Sequence, residues 1–274
     1  MAGSLYVVGT PIGNLEDMSV RAVRTLQEAD FIAAEDTRVT LKLLNHFAIK
    51  KPMLSYHEHN ARQKGGEILT RILNGENCAI VTDAGMPCIS DPGEDLVRLC
   101  AENGVDIKVI PGPSAAISAL AVSGLDTSRF VFEGFLNPQK NVRLERLEQL
   151  KNEQRTLIFY EAPHKLTDTL EAMLQVLGDR KISLARELTK IYEEVVRTTL
   201  SRALELYREK APRGEFVLVV EGASQQQEQL SFEQALELVR ALVDKGEPLS
   251  KAAKDVAHQT GFKKGELYSR FLGQ

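Results

Sequence analysis

The chain has 274 residues, of which 43% are hydrophobic and 26% are charged, a balance typical of a soluble globular protein with about two domains. Its net charge of −4 excludes a protein coated in positive charge, so any contact with nucleic acid requires a local basic patch. The three cysteines are too few for a disulfide framework, and without a signal segment or a bilayer-length apolar stretch we expect a cytoplasmic protein with no membrane contact.

Short apolar runs alternate with amphipathic stretches through the first half of the chain. The runs LYVV, FIAA, CAIVT and IKVI, at 5–8, 31–34, 78–82 and 107–110, predict parallel strands that are buried on both faces. Ser19 predicts the N-cap of a helix between the first two strands. Its apolar face is predicted from Val20, Val23 and Leu26.

The stretch VTDAGMPCISDPG, at 81–93, combines many turn-forming residues with little side-chain bulk. Asp91 is a plausible cap for the helix that follows, with Pro92 in its first turn and Glu94 as the capping-box acid. The loop therefore lies at the carboxyl end of a strand, where open α/β sheets bind ligands.

The second half of the chain repeats this pattern less regularly. Strands are predicted at 130–135, 156–161, 182–187 and 215–222, and an additional strand near 193–200 would make this sheet mixed. A helix is predicted at 166–178, ending at Gly178.

The glutamine-rich stretch SQQQEQLS predicts a linker at 224–231, after which the pattern is helical. We therefore expect an N-terminal α/β domain at 1–117, a C-terminal α/β domain at 118–223 and a helical tail at 232–274. Within the tail, residues 248–272 have the pattern of a helix-turn-helix, with Gly261 in the turn and Val256, Phe262 and Leu267 in a shared core.

Four loops share one character, since each follows an apolar strand and each is rich in Gly, Pro or Ser. They are GTPIGN at 9–14, DAGMP at 83–87, PGPSAA at 111–116 and EAPH at 161–164. Their positions predict a single ligand cleft between two domains, although compact connections between strands and helices remain the alternative. The chain has neither the dinucleotide fingerprint nor the nucleoside-triphosphate loop.

The ordered motifs VGTPIGN, AEDTR, VTDAGMPCISDPG, PGPSA, FYEAPH and ARELTK resemble those of the tetrapyrrole methylase superfamily. Within it, the chain is most similar to the ribosomal RNA small-subunit methyltransferase I group. The resemblance implies two α/β domains with S-adenosylmethionine in the cleft between them, usually in a homodimer. It also implies methylation of a cytidine ribose 2′-hydroxyl in the decoding region of small-subunit ribosomal RNA, within the assembled 30S subunit. The first loop, TPIGN instead of Gly-Pro-Gly, and the tail both point away from a porphyrin-like substrate.

The same resemblance assigns the cofactor contacts residue by residue. They are Pro11, Asp83, Ala84, Gly85, Ile89, Ser114, Ala115, Glu161 and Leu188. It also matches Asp36, in AEDTR, to an acid proposed as proton acceptor in related tetrapyrrole enzymes. The alternative for Asp36 is an ordinary ion pair with Arg38.

SYHEHN, at 55–60, supplies a second catalytic candidate. On a strand, His57 and His59 would share a face, and His57 could position or deprotonate a ribose near neutral pH. Two histidines and a carboxylate could bind a metal, but such pairs are also ordinary polar loop residues, and no metal site is predicted.

Cations near the cleft and in the tail are the predicted RNA contacts, with solvated surface charges as the alternative. They are Arg38, Lys190, Lys251, Lys254, Lys263, Lys264 and Arg270. Two other functions stay open, namely methylation of a tetrapyrrole or other small molecule, and a ligand-sensing regulator with a DNA-binding tail.

Overall fold

The computed structural model describes residues 2–224 and 231–273. The chain forms two compact units, Met1–Gly222 and Ala223–Gln274, called here the first and second units. The predicted linker at 224–231 lies outside the described residues except at its two ends. None of the helices in the described ranges combines the length and the apolar character needed to cross a membrane.

The first unit begins with a five-stranded sheet in which every neighbouring pair of strands is parallel. Its order is β3-β2-β4-β1-β5. The strands are β1 (Ser4–Val8), β2 (Phe31–Ala34), β3 (Met53–Ser55), β4 (Cys78–Val81) and β5 (Asp106–Ile110). Because all the strands run the same way, the loops that follow them collect at one edge of the sheet, as the sequence predicts.

Helices cover both faces of this sheet. They are α1 (Val20–Glu28), α2 (Thr37–His46), α3 (Ala61–Leu73) and α4 (Glu94–Glu102). Alternate strand residues pack to opposite sides, so Phe31 and Ile80 meet α3 and α4, whereas Ile32 and Val81 meet α1 and α2. This two-sided burial explains why the strands read as continuous apolar runs.

A second five-stranded sheet, also in the first unit, is mixed and has the order β6-β7-β10-β8-β9. Its strands are β6 (Phe130–Phe135), β7 (Thr156–Glu161), β8 (Lys181–Arg186), β9 (Glu194–Thr199) and β10 (Phe216–Val220). Only β6 and β7 are parallel, and the other pairs are antiparallel. The prediction of an additional strand and a mixed sheet is therefore confirmed.

The helices of this half are α5 (Ala115–Ser123), α6 (Lys140–Gln149), α7 (Leu166–Leu177) and α8 (Leu200–Glu209). α6, α7 and α8 pack on one face of the second sheet, and α5 packs on the other through Ala116, Ala119 and Leu120. The predicted boundary at 117/118 thus falls inside a helix that packs on the second sheet.

The second unit has three described helices, α9 (Phe232–Asp244), α10 (Leu249–Thr260) and α11 (Lys264–Leu272). Ser231 caps α9 in a capping box with Gln234. Val256 and Leu267 are fully buried with Phe262 packed against them, and Gly261 ends α10 in the left-handed conformation. The predicted core and turn of the helix-turn-helix are confirmed.

Three local predictions are wrong. Val20 is the first residue of α1 and is 86% exposed, so the buried face is formed by Ala22, Thr25 and Leu26. SYHEHN is not a strand beyond Ser55, because the chain turns at 58–60 to enter α3. Asp91 does not cap α4, since Gly93, at φ 133°, precedes Glu94 at the helix start.

Candidate active site

A cavity of about 500 Å³, called here the main cavity, lies inside the first unit. Loops that follow β4 and β5 of the first sheet line one side, and residues of β7, β8 and β10 line the other. Its volume is that of an ordinary small-molecule site. The lining includes Ile12, Met86, Ser90, Asp91, Phe135, Tyr160, Ala162, Pro163, His164, Ala185, Glu187, Lys190, Glu215, Phe216 and Val217, together with seven residues named below.

Backbone contacts hold the loops of the first sheet together at this edge. Thr10 and Gly85 exchange N–H to carbonyl hydrogen bonds of 2.9 and 3.1 Å. A Cβ atom added to Gly9 would lie 2.7 Å from Gly112, so these two loops approach closer than any side chain allows. The Gly112 N–H also donates to Met86 Sδ at 3.3 Å. Close main-chain contacts therefore hold the loops after β1, β4 and β5 together beside the main cavity.

The loop after β4 has an unusual backbone. Cys88 and Ser90 have φ angles of 72° and 63°, which residues with a Cβ rarely adopt. A Cβ on Gly134 of β6, where the sheet register shifts, would lie 3.1 Å from Ser90 Oγ. Strained backbone of this kind concentrates at functional sites.

The start of α5 points into the main cavity. Ser114 is its N-cap, and the Ser114 side chain makes no capping hydrogen bond. Ala116 N–H donates to the Tyr160 hydroxyl at 3.2 Å, which ties the helix to β7. Phe135, 61% exposed, has its ring centroid 5.5 Å from that of Tyr160 and lines the cavity. The cavity thus combines a helix N-terminus with an exposed aromatic ring.

Seven of the nine residues assigned to the cofactor line the main cavity. They are Ala84, Gly85, Ile89, Ser114, Ala115, Glu161 and Leu188. Pro11, which is buried, and Asp83, which is exposed, do not line it. The Glu161 carboxylate accepts hydrogen bonds from Ala162 N–H and the Thr169 hydroxyl, so this side chain is already paired within the protein.

Asp36, the first catalytic candidate, lies outside the cavity lining and caps α2. It accepts hydrogen bonds from the backbone and guanidinium of Arg38, and these bonds lower the pKa of its carboxyl group to about 2. A carboxylate held so strongly in its ionised form is a weak proton acceptor. This geometry is that of the alternative interpretation, an ordinary ion pair between Asp36 and Arg38.

His57, the second candidate, is also absent from the cavity lining. Its backbone N–H donates to Asn60 Oδ1 at 2.9 Å, and Asn60 Nδ2 lies 3.2 Å from its Nε2. Its Nδ1 is buried, and the structure gives this atom no hydrogen-bond partner among the described residues. The His59 ring lies 6.0 Å away. Within the described ranges, no group of three His, Cys, Asp or Glu side chains is arranged to hold a metal ion.

Asp91 lines the main cavity, although the sequence pattern assigned it to a helix cap. Partial burial, followed by repulsion from Glu35 and Asp83, raises its pKa to about 6, although the nearby Thr82 hydroxyl opposes this shift. Partial desolvation and then repulsion from Glu35 also raise the Asp83 pKa. A cavity carboxyl whose pKa lies close to neutral is suited to proton transfer. The sequence feature that indicates these raised pKa values is the number of acidic residues in AEDTR and DAGMPCISD.

Several predicted RNA contacts are paired within the protein. Lys190 Nζ lies 3.0 Å from Glu187 and 2.9 Å from Glu215, and Arg38 pairs with Asp36. In the second unit, Lys251 pairs with Glu247 and Lys263 with Glu266, and Lys264 donates to Ser250. Lys254 and Arg270 are exposed.

Comparison with known proteins gives a family match. Residues 4–204 match the model of the Tetrapyrrole (Corrin/Porphyrin) Methylases. A Ribosomal RNA small subunit methyltransferase I from Halalkalibacterium halodurans is 49% identical, over 97% of this chain and 94% of its own length. The protein of the same name from Thermotoga maritima is also 49% identical, over 80% of this chain and 99% of its own length. That match has 220 residues, close to the size of the first unit.

Solved structures share the fold at lower identity. A uroporphyrin-III C-methyl transferase from Thermus thermophilus, complexed with S-adenyl homocysteine, superimposes with a TM-score of 0.56 at 18% identity. The superposition covers 80% of this chain and 97% of that one. At this identity, the likeness concerns the fold alone.

Proposed function

This chain belongs to the tetrapyrrole methylase family and, within it, to the ribosomal RNA small subunit methyltransferase I group, and we propose that it methylates the ribose 2′-hydroxyl of a cytidine in the decoding region. The methyl donor is S-adenosylmethionine, and the acceptor is the RNA of the assembled small subunit. The active form is a homodimer. The observation that carries this proposal is the main cavity, because seven of the nine residues matched to the cofactor line it.

The residues of the cavity fit the proposed methyl donor. Gly85, at φ 86°, and Ala84 present main chain instead of bulk, so a ligand can lie against the loop. The start of α5, at Ser114 and Ala115, offers backbone N–H groups and the positive end of the helix to a carboxylate. Leu188 and Ile89 supply apolar surface. S-adenosylmethionine, when bound, supplies an electrophilic methyl group on a positively charged sulfur.

The protein has two tasks in such a reaction, namely alignment and removal of a proton. Holding the two reactants in line can lower the barrier by several kcal/mol, about 7 to 11 at the upper limit. The ribose hydroxyl loses its proton as the new carbon–oxygen bond forms. Asp91 is the proposed acceptor of that proton, because it combines a place in the cavity with a pKa close to neutral.

Two measurements on the purified protein test this function. Calorimetry is expected to show one S-adenosylmethionine bound per protomer, with S-adenosylhomocysteine as a competitor. Labelled methyl groups are expected to transfer to small subunits taken from cells that lack this protein, and not to subunits from wild-type cells. Transfer to a tetrapyrrole, with none to RNA, would contradict the proposal.

A further inference from the structure

A second cavity in the first unit, of about 220 Å³, has basic residues in its lining. It is called here the basic notch, and its lining is Arg186, Tyr207, Lys210, Ala211, Pro212 and Arg213. Three of these six residues are cations and none is an acid. The net charge of the protein is −4, so this concave site is a local positive patch on a negatively charged protein, and it attracts anions.

The cations of the basic notch are only partly neutralised. Arg186 Nε donates to Glu194 Oε2 at 3.0 Å, and in the described part of the chain its two terminal nitrogens form no other ion pair or hydrogen bond. Lys210 and Arg213 are exposed and, within residues 2–224 and 231–273, have no ion-pair partner. Lys190 contrasts with them, because two carboxylates hold it. The free donors of the notch are therefore available to a ligand.

The basic notch adjoins the main cavity through shared backbone. Arg186 is followed directly by Glu187, and Arg213 lies two residues before Glu215, and both of these acids line the main cavity. The Glu215 N–H donates to Glu187 Oε1 at 3.0 Å, which fixes the two segments side by side. Glu187 and Gly214 have φ angles of 52° and 79°, so the backbone turns between the residues that line the notch and those that line the main cavity.

We propose that the basic notch binds a backbone phosphate of the RNA substrate, next to the nucleotide whose ribose enters the main cavity. This inference rests on the proposed function. S-adenosylmethionine carries no phosphate, and its carboxylate is proposed to lie at the start of α5, so the anion of the notch belongs to the acceptor. A guanidinium has the planar fork that matches phosphate oxygens, and a lysine adds a point charge. Their position beside the reacting site would set the register of the RNA strand.

The test is the double variant Lys210→Ala/Arg213→Ala, assayed for methyl transfer to small subunits over a series of salt concentrations. We expect the KM for subunits to rise roughly tenfold, because two charged contacts to phosphate are lost. The dependence of log KM on log salt is expected to become shallower by about one unit. Affinity for S-adenosylmethionine and turnover at saturating RNA are expected to stay at the wild-type level.

The matched control is Lys50→Ala/Lys51→Ala, which removes the same charge just before β3, at the sheet edge away from the cavity. This variant is expected to keep the wild-type KM and salt slope. If both double variants have the same KM and the same salt slope while the wild-type protein methylates RNA, the phosphate site is wrong and the proposed function stands. If the wild-type protein transfers no methyl to RNA, the proposed function itself fails.

Discussion

Asp36 and Asp91 follow neighbouring strands of the first sheet, β2 and β4, but their electrostatic environments are opposite. Asp36 caps α2 and pairs with Arg38, so hydrogen bonds hold it in the ionised form. Asp91 lies in the main cavity beside Glu35 and Asp83, where burial and like charge favour the protonated form. The motif that resembles other methylases drew attention to Asp36, whereas the environment favours Asp91 as the acid–base group.

Substituting each acid by its amide separates the two candidates. Asp91→Asn is nearly isosteric and is expected to reduce single-turnover methylation by about two to four orders of magnitude, the usual cost of losing a general base. Asp36→Asn is expected to reduce it less than tenfold, since the cap can persist with an amide oxygen. The measurement uses saturating cofactor and subunits, so that only the chemical step is compared. A larger loss from Asp36→Asn would restore Asp36 as the base.

The same two variants have opposite effects on folding stability. The Asp91 pKa is raised from 3.8 to about 6, so the folded state holds this proton more tightly and stability falls as pH rises across that window. The Asp36 pKa is lowered from 3.8 to about 2, so its ionised form stabilises the fold above that window and the gain is lost as pH falls. At neutral pH, thermal melts are expected to show Asp91→Asn above the wild-type Tm and Asp36→Asn below it. Shifts in the same direction for both would contradict these environments.

At the scale of elements, the site is built by loops that are stable only with glycine at particular positions. Gly85 has φ 86°, and its N–H and carbonyl groups are both hydrogen-bonded to the backbone of Thr10, which fixes its conformation. A Cβ there would lie 3.4 Å from Ile12 and 3.5 Å from Pro113, at the wall of the main cavity. Gly104 has a similar φ of 69°, and a Cβ there would meet nothing within 4 Å.

This pair gives a matched test of the loop. Gly85→Ala and Gly104→Ala are each expected to cost about 1 to 2 kcal/mol of stability, because both force a Cβ into the left-handed conformation. Only Gly85→Ala is expected to weaken binding of S-adenosylmethionine, measured by calorimetry on variants shown to be folded. Equal affinities for the two variants would mean that the loop after β4 is only a connection.

Most strands could be predicted from the sequence, because two-sided burial leaves a continuous apolar run, as in Phe31–Ala34 and Phe216–Val220. The short strand Met53–Ser55 was missed because three half-buried residues carry little pattern. The place of Asp91 in the cavity lining was missed because Asp-Pro-Gly before an acid is typical of a helix cap, whereas the left-handed backbone at Cys88 and Ser90 delays the helix to Glu94. In both cases the tertiary structure, and not the local sequence pattern, determines where these residues lie.

The basic notch could not be predicted either. Its cations come from the end of β8 and from the segment between α8 and β10, which are separated by more than twenty residues in the sequence. Seven of the nine predicted cofactor contacts line one cavity, because the ends of parallel strands share an edge of the sheet.

At the scale of the whole molecule, the two compact units have separate tasks in this account. The first unit contains every residue of both cavities. The second unit is closed by its own core around Val256 and Leu267. A relative of the same name matches over a length close to that of the first unit alone, which is consistent with catalysis in the first unit.

Removing residues 225–274 tests this division. The truncated protein is expected to keep its affinity for S-adenosylmethionine and its turnover at saturating subunits, while its KM for subunits rises and depends less on salt. Of the predicted RNA contacts in the tail, Lys254 and Arg270 are the exposed cations outside the ion pairs and hydrogen bonds described above, so Lys254→Ala/Arg270→Ala is expected to reproduce part of the effect. An unchanged KM for the truncated protein would exclude an RNA-binding role for the tail.

The central claim is that the methyl group goes to a ribose oxygen of small-subunit RNA. The most direct measurement is mass spectrometry of nucleosides from that RNA, purified from cells without this protein and then incubated with the protein and S-adenosylmethionine. We expect one nucleoside to appear, a cytidine whose added methyl stays with the sugar when the glycosidic bond fragments, and we expect Asp91→Asn to leave it nearly absent. A methyl group on the base fragment, or no new methylated nucleoside from a protein that binds the cofactor, would contradict the account.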